Sequence, residues 1–339
     1  MSAPASVADA TSVSVVIPCF NEEHFIGKVL HNLKEQYPKE HYEIVVVDGM
    51  STDRTRAVIA EFVAEDPGIS VRVVENPARN IPAALNLGIA AARGQVIVRM
   101  DAHSIPTSNY VRRCVEVLGD SEISVVGMPW RIRPGVDTTT AQAIALAVAH
   151  PFGIGDAKYR MSDSLQAQLV DTVPFGAFRK TLWEDLGGFN ADLLTNEDYD
   201  FNYRVRLRGG KVLLDTAGYC NYFARPTFRD LAAQYYRYGS WKAQMVKLHP
   251  RSIKLRHLVA PLFVASVLSL GVLSLLTPLA AWLLFAILAA YTLLSLLCAF
   301  SLARSGGMKL IPAISVAFLI LHVTWGGGFL LGLLRAPRR

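Results

Sequence analysis

The chain has 339 residues, a formal net charge of +6 and 52% hydrophobic residues. That length holds one α/β domain of about 200 to 250 residues and something smaller. Its four cysteines, Cys19, Cys114, Cys220 and Cys298, have no paired spacing, which excludes a zinc knuckle or disulfide framework and fits a reducing compartment.

Residues 1–11 are small and polar, with neither a basic start nor an apolar run. A disordered N-terminus without a signal peptide is therefore expected, with a catalytic part that stays cytoplasmic. Strand and helix patterns then alternate. Residues 13–17 read as a strand and 22–36 as a helix. Residues 43–47 are a strand and 53–64 a helix, with Ser51 or Thr52 as its cap. Residues 71–75 and 96–100 are further strands around a helix at 82–92 that Gly94 stops. The strands are continuous apolar runs, which predicts a mostly parallel sheet covered by helices on both faces. Beyond His103 the pattern predicts a helix at 109–118, a strand at 123–128 and a helix at 138–149. A loop of about fifteen residues opens at Pro151, long enough to be a mobile binding loop. A short helix, a helix at 197–208 and a strand at 211–215 follow.

The last third changes character. Between Arg204 and Arg256 there are twelve Lys or Arg and two acids, Asp215 and Asp230. Basic residues just before a membrane segment read as contacts with anionic lipid, not nucleic acid, and residues 228–247 as one or two amphipathic helices on the membrane surface. From Leu258 to Ala303 there is no Asp, Glu, Lys or Arg. At ~1.5 Å per residue this is roughly two crossings of a ~30 Å hydrocarbon core, turning near Pro278. Residues 310–334 either cross as a third span or re-enter, broken at Gly326-Gly-Gly328. A full crossing is expected, since losing a span's apolar burial outweighs carrying a short basic tail across. The expected organisation is thus a disordered 1–11, an α/β catalytic domain at 12–225, surface helices at 226–257, two or three spans in 258–334 and a tail at 335–339.

Three predicted strands end in polar loops, as in a nucleotide site. Pro18 and Glu22 follow the first; Glu23 beside them suits a helix first turn. Asp48 ends the second, where a carboxylate accepts from ribose hydroxyls or a base, whereas Asp53 suits a helix cap. No Gly-x-Gly-x-x-Gly or Walker loop follows either strand, so a dinucleotide on a helix terminus is not indicated. Asp101 and His103 end the fourth strand. One carboxylate and one imidazole offer two ligands to Mg²⁺ or Mn²⁺, with diphosphate oxygens and water completing the shell; the alternative is that His103 bonds a phosphate. Glu197 and Asp198, opening a helix, suit general-base catalysis on an acceptor hydroxyl, against a purely capping role. Gln234, Arg237 and Tyr238 share a helical face, where Arg237 suits either a bidentate diphosphate contact or membrane anchoring.

Val-Ile-Pro-Cys-Phe-Asn-Glu-Glu at 16–23, Val-Val-Asp-Gly-Met-Ser-Thr-Asp at 46–53 and Asn-Glu-Asp at 196–198, in that order, resemble the inverting glycosyltransferases of family 2 with the GT-A fold. The resemblance covers about residues 12–238. It implies Asp48 on the uracil–ribose part of a UDP-sugar, Asp101 on the metal and Asp198 as the base. Gln234-Tyr-Tyr-Arg237-Tyr238 is similar to the Gln-x-x-Arg-Trp motif of membrane-bound members, with Tyr238 replacing tryptophan, which argues against processive cellulose or hyaluronan synthesis. His103 replaces the second acid of the usual Asp-x-Asp. The 99–103 and 170–179 segments and the apolar tail resemble the succinoglycan-biosynthesis, ExoA-like branch. That branch implies transfer of glucose from UDP-glucose to a polyprenyl-diphosphate-linked saccharide at the inner membrane, with inversion to a β-glycoside. The competing expectations are a polyprenyl-phosphate glycosyltransferase like the dolichyl-phosphate mannose synthases, or a non-catalytic member of a polysaccharide assembly complex.

Overall fold

The structure, a computed structural model, describes residues 11–161 and 166–335. The expected disorder of the N-terminus, the end of the loop that begins at Pro151, and most of the basic tail lie outside the described residues. In chain order the elements run β1 (Val13–Cys19), α1 (Ile26–Leu33), β2 (Tyr42–Asp48), α2 (Thr55–Glu65), β3 (Ser70–Glu75), α3 (Ile81–Ala91), β4 (Val96–Arg99) and β5 (Ile105–Pro106). Next come α4 (Tyr110–Leu118), β6 (Ile123–Gly127), β7 (Trp130–Pro134), α5 (Thr139–Ala147), α6 (Pro151–Ile154), β8 (Gln168–Leu169), β9 (Ala177–Arg179), α7 (Lys180–Leu186) and α8 (Glu197–Leu207). The chain closes with β10 (Lys211–Leu214), β11 (Cys220–Ala224), α9 (Phe228–Leu248), α10 (Arg256–Leu273), α11 (Pro278–Gly306) and α12 (Ile311–Leu334). It divides into two compact units, residues 1–131 with 162–222 and residues 132–161 with 223–339.

The first unit is built on an eight-stranded sheet of order β3-β2-β1-β4-β9-β6-β10-β8. The apolar runs of β1, β2 and β4 are buried, as strands covered on both faces must be. β1 pairs in parallel with β2 and β4, and β2 with β3. β9 runs antiparallel between β4 and β6, so the sheet is mixed but mostly parallel, an α/β fold of GT-A type. Helix α3 lies so close to β1 and β2 that a Cβ on Gly88 would stand 2.5 Å from Val16 Cγ1 and 2.6 Å from Val47 Cγ2. Register sets the site: Cys19 pairs with Asp48 and Val16 with Arg99, so the carboxyl ends of three parallel strands deliver polar residues to one edge.

Two local expectations are corrected. The first helix starts at Ile26, not at residue 22, because 22–25 form a turn in which the Glu22 carbonyl accepts from the Phe25 and Ile26 N–H groups. Ser51 and Thr52 do not cap α2. Ser51 Oγ accepts from the Asn21 N–H (2.9 Å) and the Thr52 N–H donates to Asn21 Oδ1 (2.8 Å), tying the β1 and β2 loops together.

In the second unit α9 is one helix that runs alongside α12. The segment Gly326-Gly-Gly328 does not break α12; glycine is needed there for approach. A Cβ on Gly326 would stand 2.5 Å from the Ala260 carbonyl oxygen, and one on Gly332 2.7 Å from that of Ser240. Gly328 and Gly239 likewise face the backbones of Tyr236 and Trp325. Small residues that let helix backbones touch are how apolar helices associate. The alternative of a helix broken at these glycines does not hold in α12, where they form a packing seam. Three helices, Arg256–Leu273, Pro278–Arg304 and Met308–Leu334, are long and apolar enough to cross a membrane.

Candidate active site

At the end of β2, Asp48 is fully buried. Its carboxylate accepts from the Ser51 N–H at 3.1 and 3.3 Å and from Arg56 Nε at 2.5 Å. Arg56 also reaches Glu75 at 3.2 Å. The loop is shaped by Met50 at φ 62°, a conformation a non-glycine residue holds only when its surroundings over-determine it. Pro18, half-buried at the end of β1, is level with Val47.

At the end of β4 a denser constellation forms. Arg99, 4% exposed, meets Asp101 at 3.3 Å and Glu197 at 3.1 Å and is in contact with Asp198. Its guanidinium lies 5.8 Å from the Phe175 ring centroid, a cation–π distance. Phe175 itself is at φ 50°. Glu197 and Asp198 open α8, where acids complement the helix dipole. The turn into the helix passes through Asn196 at φ 71°, and asparagine is among the few side chains that tolerate the left-handed region. Burial pushes both the Glu197 and the Asp198 carboxyls above the ordinary range, with the Arg99 charge opposing it. A raised carboxylate pKa strengthens a base. Burial also works against the Arg99 charge, but Asp198, Asp101 and Glu197 outweigh it and hold the guanidinium cationic.

His103 Nδ1 sits 2.9 Å from Glu22 Oε1, so the carboxylate holds one edge of the imidazole. A carboxylate on the far nitrogen is the usual support of a metal-ligating imidazole. Glu22, expected at the nucleotide pocket, meets the His103 imidazole in the structure. Among the described residues no three His, Cys, Asp or Glu side chains gather as a metal site. Asp101 and His103, with side chains 22% and 32% exposed, suit a hard cation that takes one or two protein ligands and fills its shell with phosphate oxygens and water.

Gln234 and Tyr238 belong to α9 in the second unit, where Gln234 Nε2 donates to Tyr238 OH at 3.1 Å. Arg237 is exposed on that helix, so the motif splits into an internal pair and an outward arginine. A cavity of about 910 Å³ opens at the other end of the sheet, lined by Gly94, Gln95, Arg179 and Lys180. Two of its cations are spent on backbone: Lys180 Nζ donates to the Ala92 carbonyl at 2.7 Å and Arg179 to that of Ile123 at 3.0 Å.

Arg99 and Arg56 escaped the sequence reading. Arg99 had a signal: an arginine inside Val-Ile-Val-Arg-Met is carried into a sheet interior and must find acids there. Arg56 had none, since an arginine on a surface helix is ordinary.

The family model described as glycosyl transferase family 2 matches residues 14–186. The chain is 27% identical over 337 residues to the succinoglycan biosynthesis protein ExoA of Rhizobium meliloti (strain 1021), covering 97% of each. It is also 27% identical over 240 residues to a dolichyl N-acetyl-α-D-glucosaminyl phosphate 3-β-D-2,3-diacetamido-2,3-dideoxy-β-D-glucuronosyltransferase of Methanococcus voltae, covering 69% of this chain and 74% of that one. In fold it is similar to the mannosyltransferase PcManGT of Pyrobaculum calidifontis, solved with GDP-mannose and Mn²⁺, at a TM-score of 0.62 and 22% identity over 94% of this chain and 87% of that one.

Proposed function

The chain belongs to glycosyltransferase family 2, and we propose that it is a metal-assisted, inverting transferase of a sugar, glucose from UDP-glucose, to a hydroxyl of a polyprenyl-diphosphate-linked saccharide. The carrying observation is the Arg99 constellation, which puts the Asp101 carboxylate and the Glu197–Asp198 pair on one guanidinium. The full-length match to a succinoglycan biosynthesis protein supports an exopolysaccharide or cell-envelope product. The Methanococcus relative's name specifies a lipid-linked sugar as acceptor, which favours a hydroxyl acceptor over a bare polyprenyl phosphate.

In this reading Asp198 removes the proton from the acceptor hydroxyl as the oxygen attacks the anomeric carbon, inverting an α-linked donor to a β-glycoside. Its raised pKa suits that role. Asp48, held by Ser51 and Arg56, faces the uracil–ribose portion. Asp101 and His103 would hold Mg²⁺ or Mn²⁺, and Glu22 orients the imidazole. When bound, the metal neutralises diphosphate charge as the leaving group departs. The apolar helices and basic α9 fit an inner-membrane protein whose catalytic domain faces the cytoplasm, with anionic lipid at its surface and other polysaccharide-assembly proteins as partners.

A donor screen on membrane fractions, measuring nucleotide release and lipid-linked product together, tests the proposal. UDP release with a lipid-linked saccharide extended by one β-linked glucose is expected. Nucleotide release only with polyprenyl phosphate as acceptor would overturn the acceptor class, and no turnover of any nucleotide sugar would overturn the enzyme reading.

A further inference from the structure

Arg99 is the single cation on three carboxylates among the described residues, Asp101, Glu197 and Asp198. One positive charge faces three negative ones, so the group is short of positive charge. The guanidinium cannot leave by losing a proton. Its backbone is fixed in the sheet, where the Arg99 N–H donates to the Gly176 carbonyl at 3.2 Å and Arg99 is in register with Val16. Its Nε is buried without a hydrogen-bond partner among the described residues. A buried arginine with an unsatisfied nitrogen is costly, and that cost is tolerated where the group has a second arrangement or a second task.

We propose that Arg99 is a positioning residue acting as an internal competitor of the metal. In the donor-free enzyme it holds Asp101 and Asp198 together. When metal and nucleotide diphosphate claim Asp101, the guanidinium is left to Glu197 and Asp198 and aligns the base. The proposal rests on the metal-assisted reading above. It explains why the protein offers so few metal ligands: metal alone must displace a cation already on Asp101, whereas metal carried with a diphosphate brings its own compensating oxygens. The donor complex would therefore enter as a unit.

The test measures Mn²⁺ alone, by loss of the free-ion electron paramagnetic resonance signal, on the purified full-length protein in nanodiscs without nucleotide. Arg99→Gln is expected to bind Mn²⁺ about 10-fold more tightly than the parent, because a like charge next to a ligand disfavours the metal. Arg99→Lys should stay near the parent. Transfer by Arg99→Gln should fall in kcat more than in KM for the donor, with partial recovery in Arg99→Lys. A residue that merely holds the fold together would lose metal affinity when removed, so equal or weaker Mn²⁺ binding by a folded Arg99→Gln overturns the proposal. Should that variant not fold, Arg99→Gln is made together with Glu197→Gln, which removes one charge of each sign, and the double variant must bind Mn²⁺ about 10-fold more tightly than Glu197→Gln alone. Parent protein that fails to bind Mn²⁺ even with UDP present would instead overturn the metal reading itself.

Discussion

Two acid–arginine groups stand at the ends of β2 and β4, on either side of β1, and differ in charge balance: at β2 the acid is buried and its arginine exposed, and at β4 the arginine itself is buried. At β2, Asp48 meets Arg56, and Arg56 also reaches exposed Glu75. Asp48 is additionally satisfied by a backbone N–H. At β4, three acids share Arg99, the carboxyls of Glu197 and Asp198 are pushed upward by burial, and an arginine nitrogen remains unsatisfied. A closed ion pair fixes a loop in one shape. An open one is in deficit and is completed by something from outside, which is the property a catalytic centre needs. In the proposed function, the contrast separates the group that shapes the pocket from the group that does chemistry.

Breaking the open group should cost most. Asp198→Asn keeps the shape and removes the base, so transfer should fall about 10²-fold or more while UDP-sugar affinity changes little. Turnover with saturating acceptor and calorimetry with UDP check this together, and near-parental turnover would remove Asp198 from its role. Breaking the closed group should act on stability and binding rather than on chemistry. Arg56→Gln leaves the Asp48 carboxylate buried without its charged partner; the melting temperature and donor affinity should both fall, with kcat at saturating donor close to parental. A large kcat loss there would erase the distinction between the two groups. The smallest effect is on pH dependence. Glu197 carries a folded-state pKa above its unfolded value, so its contribution is fully present below the unfolded pKa. It is lost as pH rises through the ordinary carboxylate range toward the raised value. In metal-free protein, Glu197→Gln should make the decline of melting temperature with rising pH shallower; an unchanged slope would place that titration elsewhere.

Much of this was legible in the residues alone. Continuous apolar runs at 13–17, 43–47 and 96–100 imply strands buried on both faces, because only a sheet covered by helices hides such runs. The acids that follow them imply a polar strand edge, and the charge-free Leu258–Ala303 implies membrane-crossing length. These properties are local: they depend on what each segment must bury. The family motifs pointed to Asp48, Asp101 and Asp198 in the same way, through their place in the chain.

What segments do to one another was not legible. Glu22 is 81 positions from His103, and no local pattern pairs them. Arg99 meets Asp198 only because β9 lies between β4 and β6 and α8 begins where it does. In sequence, Gly326-Gly-Gly328 leaves a broken, re-entrant segment open beside the expected span, because glycine disfavours an isolated helix. Packed against α9 and α10, the same glycines allow backbone approach that a Cβ would forbid. Sequence by itself determined the parallel strands β1 to β4, the long helices and the apolar segments of membrane-crossing length, since these follow from what each segment must bury. Tertiary structure alone decided which charges share a site, because electrostatic partners are chosen by distance in space, and that distance is set only once the sheet order closes.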